Sequence, residues 1–218
     1  MSSINEFPTF QYSQPEDYHF SHDSVFLARR VYEIITNQVE NPQNVLDLCA
    51  GCGVIGLDLL FHLRAGKQTL PKNFDFLEVQ KEYENHFHEN LNRLGNIDTR
   101  CRFINDNYAM LLGGSLDEKY DLIVCNPPYF SKNQGKLPVS DLKLRSRFFI
   151  DSNLESLIQF IGRSLAPAGK AYVLIRDQLE HKQDQLSIVR DVSAGILNMQ
   201  QLEDIRGTHL IRLSLVLS

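Results

Sequence analysis

The 218-residue sequence contains no apolar run approaching the ~20 residues that a bilayer span requires. Its first residues, MSSINEFPTF, lack both the basic and the apolar stretch that open a secretory signal. A cytoplasmic chain with no membrane partner is therefore expected. An excess of positive charge is missing too: 22 Lys and Arg stand against 27 Asp and Glu, a formal net charge of −5. That argues against a generic polyanion binder, whose domains usually have a pI above ~9, so any attraction to nucleic acid has to come from a local patch. Cysteine is scarce. Cys49 and Cys52 form a C-x-x-C, but no second pair and no H-x-x-x-H accompanies it, and a structural zinc site needs four ligands. No metal site is expected, and the thiols, Cys101 and Cys125 included, read as small buried side chains. The pairs His19/His22 and His86/His88 likewise lack cooperating ligands and read as surface or packing residues. Internal repeats and low-complexity segments do not occur.

What is present is an ordinary globular composition, 43% hydrophobic and 22% charged, in a length that suits one sizeable α/β domain. Short β-type runs alternate with helical stretches, the pattern of a largely parallel sheet. Strands are predicted at 44–49, 74–79, 100–105, 120–125 and 170–175. Helices are predicted at 54–64, at 80–94 with Gly95 as its C′ glycine, and at 177–189. Another helix is expected to start on Asp151 or Ser152 as cap, with Glu155 as capping-box partner, and to end near Leu165 before the turn at 167–169. Two late strands, 196–205 and 209–217, meet at a turn through Gly207. The stretch 126–150, rich in Pro, Gly, Lys and Arg, reads as a long irregular loop, which in a compact domain is usually functional. The expected organisation is a single domain over 1–218, with an extension at 1–43 ahead of an α/β core over 44–218.

Two landmarks carry chemistry. The first is NVLDLCAGCGVIG at 44–56, where Gly51, Gly53 and Gly56 stand in the order G-x-G-x-x-G between a strand and a helix. Read literally it is a dinucleotide fingerprint, with Glu78 placed to take a ribose. A nicotinamide enzyme would, however, need a sixth parallel strand and a catalytic Tyr-Lys or His-Asp pair. The chain ends in a hairpin instead, and no Y-x-x-x-K occurs. The second landmark is Asn-Pro-Pro-Tyr at 126–129, directly after a strand. Two prolines fix φ and remove two donors, and the residue before a proline is pushed into extended conformation. Asn126 is thereby presented at a strand's carboxyl end, the edge where ligands bind in open α/β sheets. A turn that merely ends a strand is the plainer reading. The glycine loop after the first strand, and acids after the second and third, weigh against it.

Together these pieces resemble class I S-adenosylmethionine (SAM)-dependent methyltransferases with the N-P-P-Y motif, which methylate planar sp² amino groups of nucleobases or of glutamine. The resemblance runs from about Phe10 to the end. More narrowly, the chain is similar to bacterial tRNA (adenine-N6)-methyltransferases that modify an adenosine beside the anticodon of a valine tRNA. The matching stretches are FSHDSVFLA (20–28), DLCAGCG (47–53), LEVQ (77–80) with Asn90 down the next helix, NPPYF continuing to Gly135 and Pro138, and SRFFIDSNLESLI (146–158). Where that family has Arg-His-Glu, this chain has Arg147-Phe148-Phe149.

The resemblance implies a Rossmann-like seven-stranded sheet with helices on both faces and a C-terminal antiparallel hairpin. It implies SAM as cofactor and S-adenosylhomocysteine as product. Cys49, Gly51 and Gly53 would let the backbone approach the methionine part, with Asp47 facing its amino group. Glu78 would take the ribose hydroxyls, and Asp106 the adenine amine beside the Asn107 backbone. Asp23 and Phe20 would close over the methionine end, a helix cap at Asp23 or Ser24 being the competing role. Asn126 and the Pro127 carbonyl would accept N–H bonds from the target amine, and Tyr129 would stack on its ring. Phe130, Lys132, Lys136, Lys143, Arg145 and Arg147, opposed only by Asp141, would meet an RNA substrate, tRNA in particular; a solvated basic loop is the alternative. The implied assembly is a monomer or weak homodimer. Protein-glutamine N5-methylation is the enzymatic rival, although that group normally carries a further N-terminal helical domain. A non-catalytic SAM-binding scaffold is the other. Cytosine-C5 chemistry fits poorly, because Cys125 would point away from Asn126 across the strand.

Overall fold

The computed structural model describes residues 11–112, 119–131, 138, 140–177, 184–205 and 207–216. In chain order they form α1 (His22–Asn37), β1 (Asn44–Leu48), α2 (Val54–Ala65), β2 (Asn73–Glu78), a 3₁₀ turn (Lys81–Tyr83) and α3 (Glu84–Leu94). There follow β3 (Arg100–Asn105), α4 (Tyr108–Leu111), β4 (Tyr120–Cys125), β5 (Phe130–Ser131), α5 (Asp141–Arg147) and β6 (Phe148–Phe149). The chain closes with α6 (Leu154–Ser164), β7 (Leu165–Ile175), α7 (Gln185–Ser193), β8 (Leu197–Ile205) and β9 (Thr208–Leu215). None of the helices among the described residues is long and apolar enough to cross a membrane.

Seven strands make one sheet in the order β3-β2-β1-β4-β7-β9-β8. The first five are parallel, and β9 joins β7 and β8 antiparallel. The parallel strands read as apolar runs because both of their faces are covered. Alternation along β1 sends Val45 towards the α1–α3 layer, where it packs with Leu27, Val31, Leu57, Phe74 and Phe76. Leu46 and Leu48 face the layer of α4, α6 and α7, with Ile123, Leu157, Ile161, Val173 and Val189. Helices therefore cover both faces, as expected. Gly207 makes the β8–β9 turn at φ 80°.

Several expected boundaries are corrected. The stretch 126–150 contains β5, α5 and β6, with Phe130 paired to Phe148. Ser140 caps α5 by accepting Lys143 N at 3.4 Å. The cap of α6 is Asn153, whose Oδ1 accepts Ser156 N at 2.8 Å, rather than Asp151 or Ser152. β7 begins at Leu165, five residues early, because a register shift opposite Tyr120 and Leu122 absorbs the expected turn. A Cβ at Gly169 would stand 2.5 Å from the Tyr120 carbonyl oxygen, so the close approach requires glycine there. The last predicted helix runs over Gln185–Ser193 and is capped by Asp184, which accepts Ser187 N at 2.7 Å; residues 178–183 lie outside the described ones. Asp23 and Ser24 fall inside the first turn of α1, so neither is its cap.

Candidate active site

In the sheet order, β1 and β4 are the neighbours from which successive connections run to opposite sides, and the crevice outside their carboxyl ends is the expected ligand site. A cavity of about 300 Å³ lies there. On one side it is bounded by the loop after β1, where Cys49, Gly51 and Gly53 all take left-handed φ values of 61°, 53° and 82°. The loop is fastened to β2: Ala50 N donates to Leu77 O at 3.1 Å, and Gly51 N donates to Glu78 Oε2 at 2.9 Å. A Cβ at Gly53 would meet Phe87 at 2.8 Å. The third glycine serves the helix rather than a ligand, because a Cβ at Gly56 would lie 2.4 Å from the Phe76 ring.

Glu78 closes β2 as a buried carboxylate on the cavity wall, its Oε1 accepting Gln80 N at 2.9 Å. Burial pushes its pKa up, against the opposing pull of the Gln80 and Gly51 amides and of Arg145. Asp106 is exposed at the rim and accepts Asn107 N at 2.7 Å. Asn107 caps α4 by accepting Ala109 N and donates to the Asp151 carbonyl, both at 2.9 Å. Asp47 and Gly53 stand behind the wall instead of on it. Asp47 is fully buried, its Oδ2 accepting Gly56 N at 2.8 Å, and burial drives its pKa well up. It faces α2 because alternation along β1 puts it on the same side as Val45.

Asn126 and the two prolines form the opposite wall, with Asp23 and Ser24 of α1, both buried. Asn126 Nδ2 donates to Ser24 Oγ at 2.9 Å, and the Tyr129 hydroxyl donates to Asn126 Oδ1. The Tyr129 backbone is held from two sides: its N–H donates to Arg147 O at 3.1 Å, and Gln185 Nε2 donates to its carbonyl at 2.6 Å. The expected stacking role of Tyr129 is thereby qualified, since its hydroxyl is engaged and the Arg176 guanidinium lies 5.7 Å from its ring centroid. Of the expected basic patch, Arg145 is neutralised by a two-point pair with Asp151 at 3.0 and 3.1 Å. Arg147 lies over Phe130 at 5.1 Å. Lys132 and Lys136 lie outside the described residues. Phe20, Phe130, Arg145 and Arg147 all reach the cavity wall.

Sequence reasoning missed Tyr18, Ser24 as a partner of Asn126, Gln80, Tyr83, Ser146 and Arg176 on that wall. Ser146 Oγ accepts Gln80 Nε2 at 3.0 Å and contacts the Tyr83 hydroxyl at 2.8 Å, which anchors α5 over the end of β2. Only the strand-end position of Arg176 was a signal in the sequence. Among the described residues no group of three or more His, Cys, Asp or Glu is placed to hold a metal ion. The residues present do fit an adenosyl ligand. A buried carboxylate with one backbone N–H on each oxygen keeps lone pairs for a ribose diol, and the left-handed loop opens its backbone to close approach.

The comparisons agree with this geometry. Residues 19–189 match the family model described as Methyltransferase small domain. A release factor glutamine methyltransferase of Fusobacterium nucleatum is 33% identical over 132 residues, covering 56% of this chain and 33% of that one. A tRNA1(Val) (adenine(37)-N6)-methyltransferase of Cytophaga hutchinsonii is 28% identical over 169 residues, covering 77% and 65%. The chain thus spans between about a third and two thirds of the length of these relatives. In fold, it is similar to a T. thermophilus 16S rRNA N2 methyltransferase solved with AdoMet and guanosine. There the TM-score is 0.61 at 14% identity, covering 92% of this chain and 45% of that one. With the family model spanning most of its length and the glycine loop, Glu78 and N-P-P-Y on one cavity, the chain belongs to the methyltransferase small domain family of class I SAM-dependent methyltransferases.

Proposed function

We propose that this chain methylates an exocyclic amine of a nucleobase, adenine N6 in a tRNA, using SAM. The observation that carries this reading is the position of Asn126-Pro127-Pro128-Tyr129 on the same cavity as Glu78 and the glycine loop. SAM, when bound, supplies a methyl carbon activated by a sulfonium. Glu78 would accept hydrogen bonds from the ribose hydroxyls, the Cys49–Gly51 backbone would hold the methionine part, and Asp106 with Asn107 would receive the adenine. Asp47 acts from behind, bracing the first turn of α2 through Gly56 N.

The lone pair of an adenine amine is delocalised into its ring. Asn126 Oδ1 and the Pro127 carbonyl each accept one N–H of that amine, which favours a pyramidal nitrogen and aims its lone pair. The substrate amine takes the place of the Tyr129 hydroxyl at Asn126 Oδ1. Ser24, holding the other end of the amide, fixes which atom faces the cavity. No strong base is required, because the proton leaves after nitrogen has become cationic. Orientation of this kind contributes roughly 7–11 kcal/mol, and each preorganised dipole on the order of 3 kcal/mol.

The identity to release factor glutamine methyltransferases supports a second reading, since a glutamine amide offers the same planar N–H₂. Arginines at the mouth favour the nucleic acid. Incubation with tritiated SAM and separate pools of tRNA, rRNA, DNA and release factors decides between them. Label is expected in tRNA as N6-methyladenosine, and label confined to protein overturns the reading. Asn126→Ala is expected to lower turnover roughly a hundredfold while leaving SAM affinity by calorimetry nearly intact. Unchanged turnover would remove Asn126 from the chemistry.

A further inference from the structure

Arg176 follows β7 directly, on the cavity wall, and plays no part in the scheme above. Its guanidinium carbon stands 5.7 Å from the Tyr129 ring centroid, and that of Arg147 stands 5.1 Å from the Phe130 centroid. Both arginines are half-buried, and among the described residues neither has an ion-pair partner. Asp23, buried on the same wall, acts electrostatically on Tyr18 together with Arg147 and on Tyr129 together with Arg176, and no salt bridge among the described residues joins it to either arginine. Two further carboxylates are engaged elsewhere. Asp151 is held by Arg145, while Asp177 pairs with His209 at 3.3 Å and accepts Leu186 N at 3.2 Å. Tyr129 and Phe130 are successive residues, so the two guanidinium groups are mounted on neighbouring rings of the N-P-P-Y-F segment, both on the cavity wall.

A guanidinium laid on a ring is fixed in plane, yet its edge N–H groups stay available for bidentate contact with a phosphate. The mounting is rigid as well, since the Tyr129 backbone is tied to Arg147 O and to Gln185. We infer that Arg147 and Arg176 clamp the phosphates on either side of the target nucleotide, so that the mouth recognises a single-stranded polynucleotide rather than a protein loop. This rests on the reading that the site methylates a nucleobase. It assigns to Arg176, which lies outside the N-P-P-Y motif, a specificity role. A flipped or loop base then enters between the two contacts, with its sugar-phosphate chain held outside the cavity.

The test is fluorescence anisotropy of a labelled RNA of about seven nucleotides with a central adenine. It is read from about 50 to 200 mM salt, with S-adenosylhomocysteine present so that no turnover intervenes. Arg147→Ala and Arg176→Ala are each expected to weaken binding roughly tenfold at low salt and to flatten the log–log salt slope by about 0.7. Arg147→Lys and Arg176→Lys are expected to restore the slope but only part of the affinity, because a point charge lacks the planar fork. Where an alanine variant does not melt cooperatively, Arg176→Gln and Arg147→Gln are judged on the same slope. Wild-type affinity and slope in the neutral variants would overturn the clamp while leaving nucleobase methylation in place. Tritium transfer by the wild-type chain to a release factor and to no RNA would overturn both.

Discussion

At the end of β2 a single carboxylate is enclosed by apolar neighbours and still receives two backbone N–H bonds, from Gly51 and Gln80. Burial dominates, and the pKa of Glu78 is raised. For an acid with its folded pKa above the unfolded value, the folded state binds more protons across the interval between the two. Stability therefore rises as pH falls through that interval, opposite to the behaviour of a paired carboxylate. Hydroxyl donors of a ribose need the ionised form, so SAM affinity is expected to fall as pH is lowered through the same interval, above the ordinary glutamate range. Calorimetric titration across that range, with Glu78→Gln as control, separates the effects. The variant should bind SAM weakly and without the pH trend. It should keep the part of the stability trend that belongs to Asp47, whose pKa burial also raises. An undiminished pH trend in binding would assign it to another group. Glu78 and Asn126 were legible in the sequence because a strand's carboxyl end is a position that sequence fixes. The placement of Asp47 was misread because proximity to the glycine loop was weighed above the strand's alternation.

Among the elements, α2 owes its seating to Gly56. Glycine inside a helix ordinarily costs about 1 kcal/mol relative to alanine. Here a methyl group would press to 2.4 Å from the Phe76 ring and 2.8 Å from Phe74, two rings stacked at 4.8 Å. Overpacking of that kind costs about 1–3 kcal/mol, so Gly56→Ala is expected to lower stability in urea unfolding instead of raising it. A gain would mean that the rings yield freely. The parallel strands were readable because strands covered on both faces are written as unbroken apolar runs. The segment β5–α5–β6 was not: a pairing of two residues has no period to detect, and α5 buries none of its residues. Its cap at Ser140 and the tie of Ser146 to Gln80 and Tyr83 are tertiary facts, invisible to local pattern. The same holds for Asn153, a cap that stood two positions beyond the acid favoured by the spacing.

Across the molecule, the cavity is roofed by two segments remote in sequence, the arm at 11–21 and the α5–β6 unit, which meet where Ser140 Oγ donates to Asp17 Oδ2 at 3.0 Å. The arm lies on α2 and α3. Tyr12 donates to the buried Asp58 at 2.8 Å, and Ser13 is gripped by Asn90. Asn90 is wholly buried, and its one amide satisfies three backbone groups. It accepts Ser13 N at 2.6 Å and donates to Ser13 O at 2.9 Å and to Cys52 O, in the glycine loop, at 3.0 Å. Arm and cofactor loop are thus joined through one side chain, across contacts 77 and 38 residues apart that no sequence period announces. Truncation to Asn90→Ala leaves these groups without partners. Buried unsatisfied groups cost about 1–3 kcal/mol each, and the arm escapes that cost by detaching into water. Hydrogen exchange is the suitable measurement, since it resolves local opening from global unfolding. In Asn90→Ala, amides of 11–21 and of the loop at 49–53 are expected to exchange at least tenfold faster, while β1, β4 and β7 keep their protection, and SAM affinity falls in step. Uniform acceleration across the sheet would reduce Asn90 to a contributor to global stability. An arm that stays protected would show that its other ties, Tyr12 to Asp58, Ser13 to His86 and Glu89, and Arg93 to the Gln11 carbonyl, hold it without Asn90.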